Sequence, residues 1–211
     1  MKPTIDALFD ESEYLLLEEL PYTEMIPFVQ RDFQYPTNII RFYIALNVLL
    51  LIVIIGVAAL QISAGKITFG NLFYAVSLGF AASLTLLIPI HEAIHGLAYK
   101  IAGAPKVSFG GNLRKFYFYA VADRFVAGAR EFRLVALAPF VVISFTGTII
   151  LIFSPIFFQW LLWGVLLLHT GACAGDFAML AFYARLSNDK IFTFDDVKAQ
   201  KAYFFQKKSK S

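Results

Sequence analysis

The stretch Leu84-Thr85-Leu86-Leu87-Ile88-Pro89-Ile90-His91-Glu92-Ala93-Ile94-His95 decides how the rest of the chain is read. It ends in an HExxH pattern and lies inside a long apolar run. On a helix, residues four apart share a face, so His91 and His95 can hold one ion between them. Imidazole nitrogen suits zinc, and a catalytic zinc keeps three protein ligands and one open position. Glu92 directly follows the first histidine, where its carboxylate can act as general base toward an attacking water. Ionisable side chains inside an apolar run are costly, so their presence points to function. Pro89, two residues ahead of His91, predicts a kink or broken turn just before the motif.

The composition predicts a membrane setting. Of 211 residues, 59% are hydrophobic and 16% charged, and the mean hydropathy is +0.68. That is too apolar for a soluble domain and implies several spans. The 23 phenylalanines suit lipid-facing and interfacial positions. A single cysteine, Cys173, excludes an internal disulfide. The acidic N-terminus lacks the pattern of a cleavable signal peptide, which leaves targeting to the first span. Apolar runs predict spans at about residues 39–62, 71–101, 134–158 and 160–183. The expected fold is an all-α polytopic membrane protein with about four transmembrane helices and a short membrane-associated β-hairpin after the second. Three segments are expected: an acidic amphipathic cytoplasmic segment at 1–38, a membrane-embedded domain at 39–184, and a basic cytoplasmic tail at 185–211.

Within the first segment, Ile5, Leu8, Phe9, Leu16 and Leu20 fall near helical spacing, with Thr4 as cap and Asp6 in the first turn. This predicts one amphipathic helix ended by Pro21; a solvated tail with a weakly packed helix is the alternative. Residues 106–112 and 115–121 read as two short strands around a Gly110-Gly111-Asn112 turn. The loop that holds them is basic and could equally lie on lipid headgroups. The tail closes with Lys207-Lys208-Ser209-Lys210, an end expected to be basic and frayed.

Charge asymmetry sets the orientation. All of the 18 Lys and Arg except Lys66 fall on one side of a four-span arrangement. By the positive-inside rule both termini and the 102–133 loop are then cytoplasmic, in a multi-pass protein of the cytoplasmic membrane. His91 lies nine residues before Lys100, and Asp176 nine before Arg185. Both helices run the same way, so both groups sit roughly 13 Å from the same boundary. Asp176 is the only acid of the fourth span and reads as a third metal ligand; a neutral hydrogen-bonded aspartate is the bland alternative. Gly171 and Gly175 would let that helix approach its neighbours closely. His169 shares the face of Asp176 about two turns deeper, and reads as a helix contact or a group behind the ligands. Cys173 is either a soft ligand or a small packing residue.

HEAIH within an apolar span, an aspartate in Gly171-Ala172-Cys173-Ala174-Gly175-Asp176, and four expected spans resemble the site-2 protease class of intramembrane zinc metalloproteases. The closest likeness is to a small bacterial group of zincin peptidases of unknown function, distantly similar to stage IV sporulation protein FB. Leu137-Ala138-Pro139-Phe140 is similar to that group as well, and the resemblance spans roughly residues 70–185. It implies a Zn2+ cofactor held by His91, His95 and Asp176, with Glu92 as the catalytic residue. It implies hydrolysis of peptide bonds in membrane-embedded or membrane-proximal substrates, with residues 106–121 as β structure that pairs with an unwound substrate. Two departures stand out: glycine precedes Asp176 in place of an Asn-Pro-Asp-Gly or Leu-Asp-Gly context, and there is no PDZ domain. The partners implied are the lipid bilayer and a membrane protein or peptide substrate; nucleic acid is not expected. Two other readings remain open, a non-catalytic zinc-binding regulator or scaffold and a metal transporter. The first has no use for a glutamate beside His91, and the second would want polar residues at several depths.

Overall fold

The computed structural model describes residues 2–112, 117–186 and 190–208. It is mostly helical, and four helices are long and apolar enough to cross a membrane: Asn38–Ser63, Phe69–Ile101, Ala129–Phe153 and Ile156–Arg185. The first, α3 (Asn38–Ser63), has 26 residues. It is about 39 Å long at 1.5 Å per residue, enough for a hydrocarbon core of about 30 Å. Its side chains are apolar all round and mostly exposed, as are Phe145 and Phe153 on the third helix. A helix with no polar face belongs in a core or in lipid, and these four suggest a multi-pass membrane protein.

Two of the long helices are interrupted, and both interruptions serve the centre of the molecule. The second consists of α4 (Phe69–Ala82), a π-helical turn at Ser83–Leu87, and α5 (Ile88–Ile101). The expected break before the motif is this π turn. Pro89 sits in the first turn of α5, where its missing N–H costs least. The fourth long helix divides at Cys173 into α7 (Ile156–Ala172) and α8 (Ala174–Arg185). The Tyr43 hydroxyl of α3 reaches the Thr170 and Gly171 carbonyls at 3.0 and 2.8 Å, satisfying acceptors next to the break.

Close helix contact occurs elsewhere than expected. A Cβ on Gly171 would meet nothing within 4 Å, and one on Gly175 would only touch Val29 at 4.0 Å. The close approach is between α4 and α7. A Cβ on Gly164 would lie 2.6 Å from the Val76 carbonyl, and one on Gly79 would collide with the Leu161 carbonyl. Near Asp176 the small residues leave space open; between α4 and α7 they let backbones touch.

The fold is not all-α. The N-terminal segment forms α1 (Ile5–Leu8), strand β1 (Tyr14–Pro21) and α2 (Met25–Phe33) in place of one long helix. Thr4 caps α1 as expected, accepting from the Ala7 N–H at 3.3 Å. The chain then turns at Asp10, whose carboxylate accepts from the Ser12 N–H and hydroxyl at 2.9 and 2.6 Å. Leu15 and Leu16 are exposed, while Tyr14 and Leu20 turn inward. The C-terminal segment is also part of a sheet at residues 191–207, while the tail end from residue 209 lies outside the described residues. Its strands are β5 (Ile191–Asp196) and β6 (Lys201–Lys207). With β4 (Ala127–Gly128) the sheet order is β1-β6-β5-β4, antiparallel throughout. The local helical pattern of residues 5–20 yields to this long-range pairing.

The expected hairpin is present as β2 (Ser108–Asn112) and β3 (Tyr117–Val121). Gly110, Gly111 and Asn112, expected to form the turn, belong to β2 and pair with β3; residues 113–116 lie outside the described residues. Gly110 is needed opposite Tyr119, where a Cβ would come within 2.5 Å of the ring. The third long helix, α6 (Ala129–Phe153), follows β4 directly, and Glu131 accepts from the Gly128 N–H at its start at 3.1 Å.

One face of the sheet packs with α2 and the end of α8 through Phe28, Phe182, Tyr183, Ile191 and Phe204. An ion cluster ties the same elements. The fully buried Asp32 carboxylate on α2 is paired with Arg185 at the end of α8 and with Arg31 at 3.0 Å. Removing one partner of such a pair strands the other in a poorly hydrated site. Asp32→Ala is expected to lower unfolding stability by about 3 kcal/mol, measured by denaturant unfolding in detergent; a change below about 1 kcal/mol would assign the cluster no structural weight.

Candidate metal centre

The centre lies where α5, α6 and α8 meet under the hairpin. His91 and His95 project from one face of α5, with rings 4.7 Å apart. Their Nε2 atoms are 3.0 Å apart. Asp176, in the first turn of α8, places its two carboxylate oxygens 3.4 Å from His91 Nε2 and 3.3 Å from His95 Nε2. Bonds of about 2.0–2.1 Å set ligand atoms about 3.3 Å apart around a tetrahedral metal. The three donors therefore fit a single zinc-sized ion, and two imidazoles with one carboxylate are a donor set zinc accepts.

The tautomer of His95 is fixed by the backbone behind it. Its Nδ1–H donates to the Val135 carbonyl on α6 at 2.9 Å. In an α-helix that carbonyl would accept from residue 139, but residue 139 is proline and has no N–H. Pro139 thus leaves one acceptor open, and His95 takes it. With the proton on Nδ1, the Nε2 lone pair faces Asp176 and His91, free for a metal. Pro139 also supplies its own carbonyl to His169.

Glu92 projects from the next position on α5 into a cavity. Its Oε2 is buried without a hydrogen-bond partner, while the Ala120 N–H on β3 supports the carboxylate. The hairpin reaches this position because Gly96 on α5 lies under the Phe109 ring; a Cβ there would come within 2.6 Å of it. The cavity flanks His91 and Glu92 on two sides. A lobe of about 460 Å³ runs toward Ser83, Leu84, Leu87 and Leu168, and one of about 260 Å³ runs toward the sheet. Met25 and Val29 of α2 line both lobes.

His169 is nearer the centre than its expected depth. Its ring stands 5.6 Å from that of His91, and Cys173 Sγ is 3.8 Å from its Nε2. The break at Cys173 ends the regular helical rise that the depth estimate assumed. His91, His169 and Cys173 form a second donor group, and His91, Glu92 and His95 a third. The role of Pro139 was not legible as chemistry: a proline four residues after an ordinary valine gives no sign of the histidine that uses the freed carbonyl.

An HExxH helix with this geometry fits a zincin-like metallopeptidase. Residues 84–190, about half of the chain, match the family described as "Putative zincin peptidase", and the chain belongs to that family. Membership implies zinc binding and suggests a zinc metallopeptidase. No curated protein and no solved structure matches the chain.

Purified without chelators, the protein is expected to carry one zinc per chain. His91→Ala and Asp176→Asn should lose most of it, and His169→Ala should retain it, as read by elemental analysis. Loss in His169→Ala with retention in Asp176→Asn would move the ion to the His169 and Cys173 group.

Proposed function

We propose that the protein is a zinc-dependent intramembrane peptidase of the site-2 protease type, hydrolysing peptide bonds of membrane-embedded or membrane-proximal substrates. The observation that carries this reading is Glu92 Oε2, buried without a partner beside a compact His91, His95 and Asp176 donor set. A purely structural metal site has no use for such an oxygen, and a general base requires one. Zinc, when bound, supplies the Lewis acidity that activates water and polarises a carbonyl.

The residues of the chain would do the rest. Asp176 and the two histidines orient the ion, and Val135 holds the His95 ring. Glu92 takes a proton from the attacking water and returns it to the leaving amine. Phe118 to Val121 of β3 line the sheet-side lobe, and among the described residues β3 pairs only with β2. An extended substrate segment can lie along that second edge, its backbone groups satisfied by strand addition. This suits a substrate helix that must unwind before cleavage. The cavity lies toward the end of the bundle that the charge distribution assigns to the cytoplasm, where water is available.

Glu92→Gln preserves shape without a basic oxygen. It is expected to keep its zinc and to lose cleavage of single-span peptides by at least about a hundredfold. An active Glu92→Gln protein would remove Glu92 from the mechanism. The orientation is tested separately with Lys66→Cys in a Cys173→Ala background. A membrane-impermeant thiol reagent should label it from the outside; labelling only from the cytoplasmic side would overturn the proposed topology.

A further inference from the structure

The two lobes of the cavity differ in chemistry. The helix-side lobe ends among Leu84, Leu87 and Leu168. The sheet-side lobe has apolar walls, Val121, Met179 and Ala202 among them, but its lining also includes Asp195. Tyr22 donates to Asp195 Oδ1 at 3.4 Å. Among the described residues no lysine or arginine pairs with Asp195. Arg124 gives it only a backbone bond, from its N–H to the Asp195 carbonyl at 2.8 Å. The Arg124 side chain pairs with Asp196 instead, at 3.6 Å. Burial pushes the Asp195 pKa up to about 7, with the Asp123 charge adding to the rise. A carboxyl so placed lacks a counter-charge that it would gain from a ligand.

The spacing is set by α5. His91, His95 and Tyr99 lie on successive turns of one face, about 6 Å apart. His91, His95, Tyr99 and Asp195 all line the sheet-side lobe. A largely apolar lobe that holds both donor histidines and an aspartate matches a side chain with an aliphatic stem and a cationic tip.

We propose that Asp195 is the anionic end of a substrate subsite that takes a lysine or arginine side chain close to the scissile bond. The proposal rests on the peptidase reading and narrows its substrates. Membrane spans carry apolar residues followed by Lys or Arg on the cytoplasmic flank. Such a segment, threaded through the cavity, lays its apolar part against Leu84, Leu87 and Leu168 and its basic residue against Asp195. Asp195 and Tyr22 lie outside the residues matched to the family, so the preference belongs to this chain and is not carried by the family match.

The test uses fluorescein-labelled single-span peptides with one lysine stepped through the four positions after the apolar stretch. Each is compared with a matched norleucine peptide, and binding is measured to zinc-loaded Glu92→Gln protein in detergent. For at least one position lysine should bind about tenfold more tightly. Adding Asp195→Asn should bring the pair to within about twofold of each other. Each comparison is a ratio within one preparation, so a partly unfolded variant does not distort it. No lysine preference in the Glu92→Gln parent, including no binding of either peptide, overturns the proposal, as does a preference that survives Asp195→Asn. Cleavage of the same peptides by wild-type protein separates the two readings. Preference without cleavage retires the peptidase and keeps the subsite; cleavage without preference does the reverse.

Discussion

The bond from His95 Nδ1–H to the Val135 carbonyl is the constraint on which the centre depends. It exists because Pro139 cannot occupy that carbonyl. A missing hydrogen bond within α6 becomes a fixed orientation of a side chain on α5. The bond is buried, so water does not compete for either partner. It also joins α5 to α6 at the level of the donor set and selects which nitrogen of His95 is free. Asp176 is placed by a comparable device. The fourth long helix yields at Cys173, the Tyr43 hydroxyl satisfies carbonyls beside the yield, and α8 restarts with Asp176 in its first turn. Two helix irregularities, each satisfied by a neighbour, aim the ligating atoms of separate helices at one point.

Around this centre the fold is closed by parts distant in sequence. The sheet joins residues 14–21 to residues 191–207 and packs on the end of α8. Asp32 and Arg185 fasten α2 to that same end, holding Met25 and Val29 over the cavity. The cavity therefore has long apolar helices on one side and the antiparallel sheet on the other, which gives its two lobes their different lining.

Much of the centre was legible in the sequence, for identifiable reasons. HExxH is a local pattern that only needs a helix, and long apolar runs announce spans whatever packs against them. Asp176 could be matched to His91 by depth, because the membrane gives every residue a coordinate along its normal. Strands β2 and β3 were marked by β-formers in two short runs. What failed was whatever depended on distant partners. Residues 5–20 carry a helical pattern, but only Ile5–Leu8 keep it, and β6, nearly two hundred residues away, claims Tyr14–Pro21 as a strand. Gly171 and Gly175 have the spacing of a helix contact, but the partner surface lies at Gly79 and Gly164. His169 was placed by regular helical rise, and the break at Cys173 removed that regularity. Asp195 was overlooked because nothing local distinguishes it from Asp196, the next residue in the chain.

The strand order β1-β6-β5-β4 has a consequence for how the molecule comes into being. Strand β6, synthesised after the other three, lies between β1 and β5. Until residues 201–207 leave the ribosome, β1 has no partner on that side and β5 lacks its longer one. Ala202 and Phe204, which line the sheet-side lobe, arrive with β6 as well. The donor set can be complete by residue 176, yet the cavity beside it stays unwalled while the chain is still growing. Long-range pairing of this kind is slow, because loop closure precedes the contacts that reward it. During synthesis, then, the candidate metal ligands and the cavity beside them are completed at different times, and a polypeptide halted between residues 186 and 200 would carry the former without the latter.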